Sequence, residues 1–223
     1  MPFEPSCSTA EPFPCPIPDR IPLFPLPNIV FFPQTYLPLH IFEPRYRRMV
    51  IDASETGHCI GMALLKEGWQ EQYYGNPPIY DLGCVGRVVS VQNLTDGRSN
   101  IVLHGLCRYR IVEEEPDRTP YRQARVVPVE ETSEGLTREL RADLLVILQE
   151  SLVHRDGDQA WGHALETELS DDVLVNSLSA SLDFTPLEKQ LLLEADSLRR
   201  RARRLGDLLH FKRYERNDRK GRG

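Results

Sequence analysis

Two neighbouring pairs of side chains in this 223-residue chain have types and spacing that could do chemistry. His40 and Glu43 stand three apart, where an imidazole and a carboxylate can share a metal ion. They straddle a strand-to-helix junction, however, and no third ligand lies nearby in sequence. The expectation is a hydrogen-bonded structural histidine and no metal. Glu43, directly before Pro44, is placed to meet the positive end of a helix. Arg45 and Tyr46 form the second pair, which could hold a peptide carboxylate or backbone, since a guanidinium fork binds carboxylates at two points. The competing expectation is that Arg45 pairs with a local acid while Tyr46 packs inward.

Aromatic residues supply the other recognition chemistry. Phe24, Phe31, Phe32, Tyr36 and Phe42 could line an apolar groove, or equally fill a core. Trp69, Tyr73 and Tyr74 fall in a stretch flanked by Gly and Pro, where exposed aromatics are better placed to recognise a partner. The candidate peptide contacts are therefore Tyr36, His40, Phe42, Glu43, Arg45, Tyr46, Trp69, Tyr73 and Tyr74. Near the other end, Arg199, Arg200, Arg201, Arg203 and Arg204 could touch RNA phosphates, or form a solvated helix face paired with acids.

Charge sharpens that choice. The chain carries a net −6, yet residues 199–223 hold eleven Lys or Arg against three acids, a local +8 that leaves −14 for the rest. An acidic body argues against a nucleic-acid surface on the main domain. The five cysteines, Cys7, Cys15, Cys59, Cys84 and Cys107, form no Cys-x2-Cys pair, so neither a zinc site nor a disulfide framework is expected. Cys59, Cys84 and Cys107 read as small core residues. No apolar run approaches the ~20 residues needed to span a bilayer. The start of the sequence lacks a secretory pattern, and a cytoplasmic setting is the expectation.

The elements that must position these residues read as strands first and helices later. Residues 1–19 read as a disordered, Pro-rich leader. Between Ile21 and Pro38 prolines interrupt apolar residues, which predicts short edge strands and turns. Pro44 suits a first helical turn, Tyr46, Met49, Val50 and Ala53 keep helical spacing, and Gly57 can close the helix in the left-handed region. That predicts a helix from about Pro44 to Glu55. Strands are expected over 59–65, 85–91, 101–106, 109–112 and 121–129, with Asp96–Gly97 as a two-residue hairpin turn. A small, closed or nearly closed β structure would leave few exposed edges. Helical spacing then takes over in 136–152 and 171–182, and in one long amphipathic helix from Leu187 to Leu209, with Thr185 as its cap and Pro186 in its first turn. The basic residues from 212 on are expected to fray.

Several of these runs together resemble the N-terminal, substrate-recognising domain of Lon proteases. The resemblance begins in 21–46 with Pro-Leu-Phe-Pro-Leu, Phe-Phe-Pro and Pro-Leu-His-Ile-Phe-Glu-Pro-Arg-Tyr. It continues through Asp81-Leu-Gly-Cys-Val-Gly-Arg, Leu94-Thr-Asp-Gly-Arg-Ser-Asn-Ile-Val-Leu-His-Gly and Tyr121-Arg-Gln-Ala-Arg-Val, and ends in the closing helices from Leu182. It covers roughly 21–209. What it implies is an α+β fold: a β-rich, PUA-like pseudo-barrel with one helix packed on it, over 20–131, then a C-terminal helical bundle over 132–211 and a basic tail over 212–223. It further implies binding of unfolded polypeptide segments or a partner protein, as in the related domain of cereblon, which serves assembly with other proteins. A Lon protease also needs a Gly-x4-Gly-Lys-Ser/Thr phosphate loop and a Ser–Lys dyad. The first is absent here, and none of the four lysines lies in a recognisable nucleophile motif. The expectation is a non-enzymatic binding module with no cofactor, acting as an adaptor in protein quality control. The alternative is an RNA-binding module that uses the basic helix.

Overall fold

Strands come first along the chain and helices last: β1 (Arg20–Leu26), β2 (Tyr36–Ile41), α1 (Pro44–Glu55), β3 (Cys59–Leu64), β4 (Leu82–Asn93), β5 (Ser99–Glu114), β6 (Gln123–Val129), α2 (Arg138–Val153), α3 (Asp171–Ser181), α4 (Pro186–Leu193) and α5 (Leu198–Gly221). The structure is a computed structural model and describes residues 17–72, 75–116, 118–132, 135–153 and 169–221. The fold is α+β, a mixed sheet followed by helices.

The six strands are ordered β2-β5-β4-β3-β1-β6, and β6 also pairs with β5. Strands β1, β3, β4, β5 and β6 therefore close into a ring, and β2 lies outside it as an edge strand on β5. Ring closure depends on β5. The sequence reads as two short strands around Gly105–Arg108, but a single 16-residue strand forms. At ~3.3 Å per residue it is roughly 50 Å long, well beyond the usual strand of up to about 10 residues. Register shifts at Val85/Gly86, Val88/Ser90 and Ile111/Glu113 bend the ladder. One end of β5 thus serves β2 and β4, and the other serves β4 and β6.

The hairpin between β4 and β5 also departs from expectation. Asn93 pairs with Ser99, so the connection is the five residues 94–98 and not Asp96–Gly97 alone. Asp96 explains this, because its carboxylate accepts from the Arg98 backbone N–H at 3.1 Å and binds the Arg98 side chain, holding a wider loop.

Strand β1 is no edge strand, despite Pro22 and Pro25. It pairs with β6 only over Arg20–Pro22 and with β3 only over Leu23–Leu26. The Leu23 N–H points toward β6, where it donates to the Arg122 carbonyl. Backbone donors alternate sides along a strand, so Pro22 faces β3 before that ladder begins and Pro25 faces β6 after that ladder ends. Neither proline removes a ladder bond.

Helix α1 matches its sequence signals. Pro44 opens it, Tyr46, Met49, Val50 and Ala53 are its buried face, and Gly57 follows at φ +87°. Thr185 and Glu188 form a capping box at the start of α4, with Pro186 in the first turn. The single long helix expected after Leu187 is instead two, α4 and α5, broken at 194–197. Arg108 and Arg201 bind carbonyls at that break, which makes it a joint between sheet and helices. α5 then runs to Gly221, across much of the segment expected to fray. The leader expected over 1–19 lies, up to residue 16, outside the described residues.

Two apolar clusters fill the interior. One is enclosed by the ring and includes Ile21, Leu23, Val85, Tyr109, Ala124 and Val126. Tyr109 fits because Gly83 has no side chain: a Cβ there would lie 2.2 Å from the Met62 carbonyl oxygen and 2.7 Å from the Tyr109 hydroxyl. That hydroxyl donates to the Met62 carbonyl at 3.0 Å. The other cluster runs continuously from Phe32, Met49, Met62 and Leu103 to Leu174, Leu192 and Leu205. Sheet, α1 and the late helices thus share one core. Gln190 adds a polar tie, donating from α4 to the Leu82 carbonyl of β4 at 3.0 Å.

Candidate functional site

The N-terminal turn of α1 forms one wall of a cleft of about 220 Å³. Arg45 and Tyr46 contribute from the helix, and Pro25 and Leu65 from the ends of β1 and β3. Residues 75–77 and 119–122, which precede β4 and β6, complete the lining. Three prolines, Pro25, Pro77 and Pro120, and the buried Tyr46 and Tyr121 give the cleft rigid walls, while Arg45, Asn76, Thr119 and Arg122 make its exposed lining more polar than apolar.

Its geometry follows from the packing around it. Tyr46 is buried with its ring 4.2 Å from that of Phe24, and the Arg45 guanidinium lies 4.6 Å above the Tyr46 ring centre. Arg45 Nε binds Glu43 at 2.9 Å, while the Glu43 side chain makes no capping hydrogen bond to the helix. The local-acid expectation for Arg45 therefore holds, and so does inward packing for Tyr46. On the opposite wall the Tyr121 hydroxyl donates to Asp52 at 2.7 Å. Burial, with the bond to Asp52, pushes the Tyr121 phenol up to about 12. Arg122 binds both oxygens of Glu114, at 2.8 and 2.6 Å, and donates to the Pro77 carbonyl at 2.7 Å. Each guanidinium on the rim is thus compensated by a neighbouring carboxylate, and the arrangement suits a neutral segment, backbone included, better than a free carboxylate.

Tyr36, His40 and Phe42 assemble elsewhere, on the outward side of β2. Tyr36 is 68% exposed and Phe42 is 59% exposed. The His40 ring stacks with that of Phe42 at 6.1 Å, and that of Tyr36 lies 4.9 Å from His104 of β5. His40 Nδ1 is 2.7 Å from Asn100 Oδ1, so it is the hydrogen-bonded histidine expected. No group of three or more His, Cys, Asp or Glu able to hold a metal occurs among the described residues.

Other candidates fare differently. Phe24, Phe31 and Phe32 are core residues. Trp69, expected to be exposed, is instead half-buried, because it opens the short helical turn Trp69–Gln72 and packs against the ring's interior cluster. Tyr73 and Tyr74 lie outside the described residues. Arg201 cannot reach an RNA phosphate: it is wholly buried, bound to Asn176 at 2.8 Å and to the Leu192 carbonyl at 3.0 Å. In the same run Arg200 pairs with Asp196, Arg199 donates to the Gly135 carbonyl and Arg204 to that of Leu191. Nothing local marks Tyr121, Pro77 or Pro120 as cleft residues, since they are distant from Arg45 in the chain and meet it only through ring closure. Cys59, Cys84 and Cys107 are buried core residues, as expected. Among the described residues no helix is long and apolar enough to cross a membrane.

The family model of the ATP-dependent protease La (LON) substrate-binding domain matches residues 20–210. Lon protease 2 of Myxococcus xanthus is 30% identical over 204 residues, which cover 88% of this chain and 24% of that protein. Lon protease of Anaeromyxobacter dehalogenans is 29% identical over 204 residues, again 88% of this chain and 24% of the relative. The chain therefore spans only 24% of the length of these relatives. Among solved structures, the Lon N-terminal domain protein from Xanthomonas campestris superposes with a TM-score of 0.63 at 24% identity, covering 86% of this chain and 97% of the other. The N-terminal domain of the Mycobacterium avium complex Lon protease gives 0.63 at 18% identity, covering 84% and 96%. At these identities the likeness establishes the shared fold.

Proposed function

Because this chain belongs to the Lon substrate-binding domain family, matched across residues 20–210, we propose that it is a protein-recognition module that holds apolar segments of unfolded polypeptide without chemically altering them. The cleft beside α1 carries this reading. It offers rigid rings and prolines, and its arginines are already neutralised by Glu43 and Glu114. Such a surface accepts an uncharged side chain against its prolines and the flanking peptide backbone against its polar groups, with little cost in ordering the protein. Peptide contact is assigned to Arg45, Tyr46, Tyr121 and Pro120 at the cleft, and to Tyr36, His40 and Phe42 along β2. The setting proposed is cytoplasmic protein quality control, in which the module presents bound chains to a protease supplied by another polypeptide. The PUA-like description fits the ring of five strands with β2 attached.

Binding to a reduced and carboxymethylated, hence permanently unfolded, protein tests the reading. The native chain is expected to bind it with micromolar affinity, and Asn76→Trp, which places a large ring at the cleft mouth, is expected to weaken binding about tenfold. Equal affinity for folded and unfolded forms, or no binding, would overturn the proposal.

A further inference from the structure

Along β2 the residues Tyr36, Pro38 and His40 alternate outward while Leu37, Leu39 and Ile41 turn toward the core, and Phe42 continues the outward series. Cross-strand pairing extends this stripe into a face. Tyr36 lies beside His104 and then Arg87; Pro38 beside Val102 and Ser90; His40 beside Asn100 and Gln92. The His40–Asn100–Gln92 row is fixed by hydrogen bonds of 2.7 and 3.2 Å. The face is ordered, carries exposed aromatics of the kind that dominate interfaces, and ends at Phe42, three residues before Arg45 of the cleft. That separation is at most ~10 Å of chain.

The charge of the face is opposite to that of the protein. Residues 36–42 and 82–104 contain Arg87, Arg98 and one acid, Asp96, which Arg98 already binds at 2.6 Å. Arg47 packs its guanidinium over Gly97 at the tip of the same hairpin. Arg87 is exposed on the row with Tyr36. A chain with a net charge of −6 thus keeps its outer sheet face positive.

We propose that this face is a docking track for an extended, carboxylate-bearing stretch of the same polypeptide whose apolar part enters the cleft. The inference rests on the function proposed above and adds the substrate class: apolar segments flanked by Asp or Glu. Tyr36 and Phe42 provide flat contact area, and Arg87, the cation of these strands that Asp96 does not engage, the complementary charge. Simple addition of a strand to the β2 edge is not the mode, because Pro38 lacks the N–H that such a ladder needs in its centre. RNA is disfavoured too, since so few net charges release too few counterions for useful affinity.

Fluorescence anisotropy on the full chain, with three labelled peptides, tests the proposal. All three share one apolar core and differ in flank: Glu/Asp, Ser or Lys. At low salt the acidic flank is expected to bind about fivefold tighter than the Ser flank, with the gap closing in 0.5 M salt, roughly three times shorter in screening length. Arg87→Glu is expected to abolish or invert the flank preference. If all three peptides bind equally, or Arg87→Glu leaves the preference intact, the track is disproved and the recognition reading survives. Failure of every peptide to bind overturns both. A single-stranded RNA that outcompetes the acidic peptide would replace this partner class with a nucleic acid.

Discussion

Arg108 and Arg201, one from β5 and one from α5, converge inside the protein on a single carboxylate, Glu131. Arg201 Nη2 lies 2.9 Å from Glu131 Oε1, and Arg108 Nε lies 3.9 Å from Oε2. The two guanidiniums are 2% and 0% exposed. Arg108 Nη1 also donates to the Leu193 and Ala195 carbonyls, and Arg201 Nε to that of Leu192, so both cap the break between α4 and α5. Burial pulls the Arg201 pKa down, and nearby Arg108 adds to that, whereas Glu131 opposes both. This joint fixes the helices to the sheet.

Neutralising the carboxylate is expected to be the costly change. Glu131→Gln leaves two buried cations without a counter-charge and is expected to destabilise by ~3 kcal/mol. Arg108→Met removes a cation whose Nε and Nη2 make no hydrogen bond and leaves Glu131 to Arg201 alone. It is expected to cost at least ~1 kcal/mol less. Urea denaturation of both variants measures the order; the reverse order would contradict the charge balance described.

The Tyr121–Asp52 bond ties the cleft wall to α1 and predicts a pH dependence at both extremes. Burial raises the Asp52 carboxyl, but hydrogen bonds from Tyr121 and Arg48 outweigh it and hold the group below the usual range. Its contribution is therefore present above the unfolded pKa of about 3.9 and is lost as pH falls through the lower folded value. Tyr121, pushed up to about 12, contributes below its unfolded value of about 10, and that contribution is lost as pH rises through 12. In Tyr121→Phe the Asp52 pKa, followed by NMR titration, is expected to move upward, with ~1 kcal/mol of stability lost at neutral pH.

Gly83 is expected to tolerate no side chain. The Cβ of Gly83→Ala would meet a backbone carbonyl that cannot swing away, at a cost of ~3 kcal/mol or failure to fold. Tyr109→Phe loses only the hydroxyl bond to Met62 and is expected to cost ~1 kcal/mol. Thermal melts of the two variants would show whether the steric or the polar contact dominates.

The capping box at Thr185 offers a local test. Thr185→Ala removes the acceptor for the Glu188 N–H, seen at 3.2 Å, and is expected to cost ~1 kcal/mol. Hydrogen exchange is expected to rise first in α4. Uniform acceleration across the strands would show instead that this helix start is coupled to the whole core.

Local chemistry made much of this protein legible in its sequence. Pro44, the helical spacing through Ala53 and Gly57 mark α1 residue by residue, and Thr185 with Pro186 marks the start of α4, because caps and prolines act within a turn of where they sit. The runs that resemble the Lon N-terminal domain likewise pointed to its family. What followed from distant pairing was not legible. Whether 99–114 is one strand or two depends on β2, β4 and β6 all finding β5. Pro22 and Pro25 look like edge residues until the two ladders of β1 are seen to stop on either side of them. An arginine run looks solvated until Arg201 is found against Glu131 and Asn176, distant in sequence. The recognition residues divided for the same reason. Strand alternation sends Tyr36, His40 and Phe42 to one face, while ring closure brings Tyr121 and Pro120 across from Tyr46. Sequence specifies which residues prefer burial and where backbone turns; only the closed tertiary structure decides which buried or exposed neighbours they meet, because those contacts are set by long-range packing and not by anything within a few residues.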